Sequence, residues 1–421
     1  MSPNEQLSKE KAFELSLEAG KVFTPTAPID ERTLFAGRTE QVQKIVDAVN
    51  QKGQHAVVYG ERGVGKTSLS NVLASFLPQS GNTVLSPRVN CDGTDSFHSL
   101  WTKILKEIQL TQLIKVSGFQ GETKQQFSDA SSLFDEPSVS PDGVRRVLTM
   151  ISQNAVPILI VDEFDRVHSD VRRAMADTLK TLSDHAVPAT VVIVGVAESL
   201  GQLIQEHQSV ERALVQISMP RMSVEEIQQI IHTGLTRLGM TIEAKALERI
   251  CILSQGLPHY AHLMGLYSVR EALEKLRLDI DEGILMNAIG NAINGAQQSI
   301  RVAYHDAVRS ARKDNLFGDV LLACALAKTD ELGEFAAQDV RTPIREITGK
   351  NYDIPSFAQH LSDFSEEKRG AILRKSGHKR KFRYKFTNPL MQPYVIMQGF
   401  RSGKLNTEAA RAEHGTEGLA L

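Results

Sequence analysis

The 421-residue sequence predicts an α/β fold on a mostly parallel sheet, followed by an all-α region and a small segment of helices and a strand pair. Three observations carry this. Short apolar, β-branched runs alternate with helical stretches up to about residue 220. Strand signal then vanishes between residues 223 and 312. It returns only in a hairpin pattern near residue 380.

Residues 5–20 read as a helix with Leu7, Phe13, Leu15 and Leu17 as a partial apolar stripe. FTPTAPIDERTLFAGR, with Pro25 and Pro28, reads as an extended lead-in. A helix is expected from Thr39 to Asn50. HAVVY then reads as a strand followed by a helix from Thr67, and TVLSPRVN as a strand followed by a helix from Ser96 to Gln109. VPILIVDE precedes a helix from Asp170 to Leu182, ATVVIVGV precedes a further helical stretch, and VQISM closes the series. Residues 117–140 are polar and aperiodic, and are expected to form a mobile surface insertion. Helices are expected over Val224–Leu238, Ile242–Ser254, His259–Leu276 and Asp281–Ala311. From Asn315, three helical segments precede a strand pair at GAILRKSGHKRKFRYKF, the order of a winged helix-turn-helix. The expected domains are a lead-in over 1–33, the α/β domain over 34–222, an all-α lid over 223–312 and a winged-helix-like domain over 313–400. Residues 401–421 are expected to be disordered.

Hydrophobic residues make up 41% of the chain and the formal net charge is −2, so the chain as a whole is no polyanion binder. Cys91, Cys251 and Cys324 lie in no metal-ligand spacing and read as reduced thiols of a cytoplasmic protein. No apolar stretch suits a signal peptide or a membrane span.

Residues Gly60–Thr67 read G-x-x-x-x-G-K-T, between the strand HAVVY and a helix, the context that makes this pattern a phosphate loop. Gly60, Gly63, Val64 and Gly65 let consecutive backbone N–H groups turn towards phosphate oxygens, at a helix start that favours anions. Lys66 is placed for the β- and γ-phosphates, the Thr67 hydroxyl for Mg²⁺, and Ser68 follows on the same turn. PILIVDEFDRV reads as a central strand ending in Asp162 and Glu163. Asp162 is then a Mg²⁺ carboxylate acting through water, and Glu163 the general base for an attacking water. That pairing suits hydrolysis better than phosphoryl transfer to a small substrate.

FAGR, GERGVGKT, ILIVDEFD, VIVGVAES and SVERALVQISMPRMS together resemble the AAA+ ATPases, in the branch of origin-recognition-type replication initiators, and also the STAND switch ATPases. The resemblance implies ATP and Mg²⁺ as cofactors. It implies that Ile29, Phe35, Gly37 and Arg38 lie near adenine, although Arg38 reads equally as a solvated charge at the start of the next helix. It implies that Arg212 completes a neighbouring subunit's site, the alternative being a surface ion pair with Glu206 or Glu211. The γ-phosphate sensor position falls at Ala197, followed by Glu198 and Ser199, a departure from the polar residue usual there. Pro258 and His259 open a lid helix, with His259 as a phosphate contact or a buried histidine and His262 as packing.

Seven of the twelve residues from Arg374 to Lys385 are basic: Arg374, Lys375, Lys379, Arg380, Lys381, Arg383 and Lys385. Alternation puts Phe382, Tyr384 and Phe386 on one face and Lys381, Arg383 and Lys385 on the other, a footprint for the phosphate backbone of double-stranded DNA. The helix expected in the recognition place (Ser356, Gln359, His360, Ser362, Asp363) is not basic, which argues against base readout. The sequence therefore reads as an ATP-hydrolysing switch, a homo-oligomer assembling on or near DNA. The alternative is a STAND-like regulator of assembly with a protein partner, without DNA.

Overall fold

The computed structural model describes residues 7–29, 37–76, 83–115, 123–134, 139–196, 208–310, 315–330, 333–378 and 381–405. Compactness divides the chain more coarsely than the sequence does. One unit spans Pro28–Pro220, and the other joins the residues up to Ala27 to those from Arg221 onward.

In the unit from Pro28 to Pro220, strands β1 (His55–Gly60), β2 (Thr83–Leu85), β3 (Arg88–Asn90), β6 (Ala155–Asp162), β7 (Thr190–Gly195) and β8 (Leu214–Met219) form one sheet. The order is β2–β6–β7–β1–β8, with β3 continuing along the same edge of β6 as β2, and every pairing is parallel. Ile158–Val161 and Val191–Val194 are almost wholly buried, as continuous apolar runs are when helices cover both faces of a parallel sheet. Two helices supply apolar residues at three- and four-residue spacing to this core: α5 (Pro141–Ile151) through Val144, Val147, Leu148 and Ile151, and α6 (Ser169–Asp184) through Val171, Met175, Leu179 and Leu182. Among the described residues the remaining α-helices of this unit are α2 (Thr39–Val49), α3 (Lys66–Val72) and α4 (Phe97–Lys106).

Two expectations change here. TVLSPRVN is not one strand. It breaks at Ser86–Pro87, where proline offers no N–H to a ladder, while the Pro87 carbonyl still accepts the Ile160 N–H. Within the insertion expected over 117–140, Thr123–Asp129 form strand β5, paired antiparallel with β4 (Gln109–Lys115). The polar sequence TKQQFSD, with Phe127 as its one large apolar residue, hid this strand from a reading by apolar periodicity.

In the second unit, α1 (Lys9–Val22) buries Ala12, Ala19 and Val22, while Phe13 and Leu17 are 66% and 59% exposed. The expected stripe is therefore the outer face. Small residues turn inward because the contact is close. The Phe23 ring fills a slot over Gly234 and Gly265, where an added Cβ would lie 2.4 and 2.6 Å from ring carbons. Those glycines belong to α7 (Val224–Leu238) and α9 (Pro258–Glu274), with α8 (Ala244–Ser254) between them in sequence. The region expected to be all-α also holds a short parallel pair, β9 (Thr241–Ile242) and β10 (Asp279–Ile280), so Ile242 is in a strand and not in the helix expected there. Helix α9 is buried on nearly all faces and is the centre of this unit. The single helix expected over Asp281–Ala311 is two, α10 (Glu282–Gly295) and α11 (Gln298–Val308). The first ends at Gly295, where a Cβ would collide with the Tyr267 hydroxyl.

The C-terminal part runs α12 (Phe317–Leu326), β11 (Phe335–Ala336), α13 (Arg341–Thr348), α14 (Ile354–Asp363), β12 (Leu373–Ser376), β13 (Arg383–Phe386) and α15 (Met391–Arg401). Strand β13 is central in a three-stranded antiparallel sheet, β11–β13–β12. The Gln392 amide ties α15 inward, donating to Ala325 O at 2.7 Å and accepting from Arg221 at 2.7 Å. No helix is long and apolar enough to cross a membrane among the described residues.

Candidate nucleotide site

The site is built at the C-terminal edge of the sheet, where β6, β7 and β1 end side by side. Gly60 ends β1 against β8. A Cβ there would lie 2.3 Å from the Met219 carbonyl, so only glycine lets the chain leave the strand at that point. Gly63 (φ 89°) and Gly65 (φ 97°) hold left-handed conformations that side chains disfavour, and Gly65 caps α3. Between them Val64 is fully buried and its carbonyl accepts from Arg38 Nη2 at 3.1 Å.

Arg38 also donates to Pro220 O at 2.6 Å and is only 3% exposed. It is thus no solvated charge. It clamps the back of the loop to the segment after β8. Both Gly37 (φ 71°) and Arg38 (φ 62°) are left-handed, which turns the chain into α2. Ile29 bonds to the loop helix through its N–H to Ser68 Oγ (3.2 Å) and its carbonyl to Asn71 Nδ2 (3.3 Å). Phe35 lies outside the described residues, as do Ala197, Glu198 and Ser199.

Lys66 Nζ donates to Gly60 O (2.9 Å) and Glu61 O (2.7 Å), folding its charge over the loop. Burial pulls its pKa down, while Asp165, Asp162 and Glu61 pull it back up. Thr67 sits one residue on, half-buried in the first turn of α3. Asp162 is 2% exposed, with Oδ1 accepting the Glu163 N–H (2.8 Å) and Oδ2 accepting Arg88 Nη2 (3.0 Å). Glu163 is left-handed at φ 54°, an uncommon conformation outside glycine that clusters at functional sites. Its carboxylate accepts from Arg166 Nη1 at 2.9 Å, and both side chains are about half exposed. At the end of β7, Gly195 leaves room for Asp165, whose Oδ1 would be 3.2 Å from a Cβ there.

These groups fit a Mg²⁺-nucleotide. Left-handed glycines leave the loop's backbone clear for phosphate, a half-buried lysine supplies charge, and Thr67 with Asp162 offers the hard oxygen ligands that Mg²⁺ takes. Among the described residues no group of three or more His, Cys, Asp or Glu side chains forms a metal cage of its own. Cys91, next to the Asp92 turn, is buried and its pKa is pushed up to about 12, as is that of Cys251; all three cysteines are free thiols.

Sequence reasoning missed Arg88 and Arg166. Arg166, three residues after Glu163, lay within local reach, whereas Arg88 meets Asp162 only through sheet register.

The structure gathers Ile29, Arg38, Gly60–Ser68, Asp162 and Glu163 in one unit. Arg212 lies in a 3₁₀ turn of the same unit, exposed, with no ion pair to Glu211 among the described residues. Pro258 and His259 belong to the other unit. Pro258 starts α9 in the first-turn place suited to proline, and His259 Nδ1 donates to Pro25 O at 2.6 Å. His262 is buried edge-on to Phe23, 6.0 Å between ring centroids.

In the basic hairpin, Tyr384 and Phe386 are buried as expected, but Lys375 departs from the cationic face. Register sets it opposite Tyr384, and its Nζ lies 3.9 Å from the Phe382 ring centroid. Arg383 is paired with Asp330. Arg374 stands directly opposite Lys385, and Lys381 is exposed at the turn. Lys379 and Arg380 lie outside the described residues.

The parallel sheet, the phosphate loop and the acidic strand end define a P-loop NTPase core. The family model for Novel STAND NTPase 1 matches residues 28–272, more than half of the chain, and the chain belongs to that family. A comparison with curated proteins found no match. Among solved structures, the chain is similar to the ORC2 protein of Aeropyrum pernix, determined as ADPNP-ADP complexes. The TM-score is 0.51 and the identity 13%, over 91% of this chain and 98% of that one. It is also similar to a Walker-type ATPase of Pyrococcus abyssi, with a TM-score of 0.50 and 16% identity, over 89% and 99% of the two chains. At such identities the likeness is one of fold. The resemblance to both STAND and origin-recognition-type ATPases is thus met, the first by the family and the second by the fold.

Proposed function

We propose that the protein is an ATP-binding and ATP-hydrolysing switch. The observation that carries this reading is the placement of Asp162 and Glu163 at the strand end that shares a sheet edge with the Gly60–Thr67 loop. In this reading the loop N–H groups and Lys66 hold the phosphates. Thr67 and Asp162 hold Mg²⁺, which supplies positive charge to the phosphate oxygens when bound. Glu163 orients and deprotonates water once Arg166 yields its carboxylate. Adenine as the base is supported by the ADPNP-ADP complexes of the similar ORC2 protein. Arg212, exposed on its turn, is the candidate to reach a neighbouring subunit's nucleotide and so make the assembled homo-oligomer the active form. Phosphate release per subunit should then rise with protein concentration. Mixing Arg212→Ala with Lys66→Ala chains should restore part of the activity, and the absence of any rescue would make the site complete within one chain.

The output is assembly, and two readings of its partner follow. The helix–strand–helix–helix–hairpin order at the C-terminus reads as a winged helix, with its basic hairpin on duplex DNA. The positive charge that this hairpin gathers, with Lys381 exposed at the turn, supports this as a surface for a phosphate backbone. Membership of the STAND family supports the other reading, nucleotide-controlled assembly with a protein. Retardation of duplex DNA by the full chain, with ATP and with ADP, separates the two.

A further inference from the structure

Both oxygens of the Asp162 carboxylate are engaged, and its side chain is 3% exposed. The partner on Oδ2, Arg88, is aimed by sheet register and not by a loop, since Arg88, Val89 and Asn90 pair in parallel with Ile160, Val161 and Asp162. The contact is one-armed. The same Nη2 is shared with Asn90 Oδ1 at 3.0 Å, and the buried Nε has no hydrogen-bond partner among the described residues. A pair fixed for stability alone would be expected to use the two-pronged geometry in which arginine binds carboxylate most strongly. A divalent cation drawing on Asp162, directly or through water, therefore meets a positive charge that already holds Oδ2 by a single bond.

We propose that Arg88 is a resident counter-ion of the metal carboxylate and sets how much Mg²⁺ the nucleotide site demands. The inference rests on the nucleotide reading above, in which Asp162 serves the metal. The guanidinium competes with Mg²⁺ for Oδ2, and metal engagement requires it to swing towards Asn90 and solvent, where 28% of its side-chain surface already lies. Removing the charge lowers the Mg²⁺ requirement. A purely structural role predicts the reverse, weaker nucleotide binding with and without metal.

The test is binding of a fluorescent ADP analogue to the full chain, titrated with Mg²⁺ and repeated in EDTA. The half-saturating Mg²⁺ concentration should fall about tenfold in Arg88→Gln, equivalent to about 1.4 kcal/mol, with affinity in EDTA unchanged within about twofold. Arg88→Lys keeps the charge and should stay within about threefold of the parent. Mn²⁺ binding in the presence of ADP, followed by electron paramagnetic resonance, should rank the variants the same way without reference to turnover. Asp162→Asn should abolish the metal dependence whatever stands at position 88. If Arg88→Gln misfolds, Arg88→Met keeps the packing of the stem and carries the same expectation. An equal or higher Mg²⁺ requirement in a cooperatively melting neutral variant, beside a parent that binds nucleotide, overturns the proposal. A parent that holds no nucleotide at any Mg²⁺ concentration overturns the nucleotide reading and this one with it.

Discussion

The phosphate loop and the basic hairpin are both short turns shaped by glycine, yet they carry function differently. In the loop, Gly60, Gly63 and Gly65 fix a backbone whose own N–H groups are, in the proposed reading, the binding surface. In the hairpin, Gly377 (φ 84°, with Lys381 O 2.4 Å from an added Cβ) fixes only the turn. In the proposed DNA reading the binding groups there are long cationic side chains, and neighbours decide which remain available. Lys375 lies on an aromatic ring and Arg383 on a carboxylate, so the basic residues of the hairpin do not each neutralise a phosphate. Function written in backbone conformation leaves a strict pattern of residue types. Function written in surface charge leaves only a composition.

The largest effect that would break this contrast is at Lys66. Lys66→Ala removes the half-buried cation of the loop, and nucleotide affinity should fall about 100-fold or more with the melting temperature nearly kept. Equilibrium binding of labelled ATP checks it, and parent-like affinity would mean that the loop N–H groups suffice.

A backbone effect of a different kind is expected in the second unit. Gly256 is left-handed at φ 69°, and a Cβ would lie 2.6 Å from Met222 O. Gly256→Ala should destabilise by about 2 kcal/mol or more, measured by urea unfolding, without altering the phosphate loop.

At the hairpin the effect should be graded. Arg374, Lys381 and Lys385 changed together to Ala should flatten the salt dependence of duplex DNA binding, by a log–log slope of about 0.9 for each phosphate that is no longer neutralised. ATP hydrolysis in the absence of DNA should persist. Equal DNA binding by parent and variant at every salt concentration would leave the protein-assembly reading in place.

The smallest expected effect is a pH term. Burial pushes the His262 pKa down to about 4, and neither ring nitrogen has a hydrogen-bond partner among the described residues. The unfolded chain binds the proton more readily between about pH 6.5 and 4, so stability is full above 6.5 and is lost as pH falls towards 4. His262→Leu should be near neutral at pH 7, since no bond is broken. It should lose up to about 3 kcal/mol less than the parent on acidification. His55, also held at about 4 by burial, keeps an acid-sensitive term in the nucleotide-binding unit of both proteins. Parallel pH profiles for parent and variant would show that His262 does not titrate in this range.

Much of the nucleotide-binding unit is legible in the sequence for the reason the contrast gives. Central strands such as Ile158–Val161 announce themselves as unbroken apolar runs because both of their faces are covered. The loop announces itself because no residue but glycine fits Gly60, Gly63 or Gly65. Long-range pairings are what stayed hidden. The β4–β5 hairpin is a backbone pairing whose second strand, TKQQFSD, carries no apolar alternation to announce it. The seating of α1 depends on Gly234 and Gly265, on helices distant in the chain, which leave the slot for the Phe23 ring while Phe13 and Leu17 stay exposed. Arg38 read equally as an adenine neighbour or a solvated charge, and Arg88 drew no reading. The contacts of Arg38 with Val64 and Pro220, and of Arg88 with Asp162, become visible only once sheet register is known.

The central claim, that Glu163 activates water at a site organised by the phosphate loop, is tested most directly by Glu163→Gln. The amide keeps the shape of the side chain but cannot accept a proton. Phosphate release should fall by about 10²–10⁴-fold, while ATP is retained as tightly as in the parent and is recovered from the protein as ATP and not ADP. Turnover by Glu163→Gln at the parent rate, with ADP recovered from the site, would contradict the account.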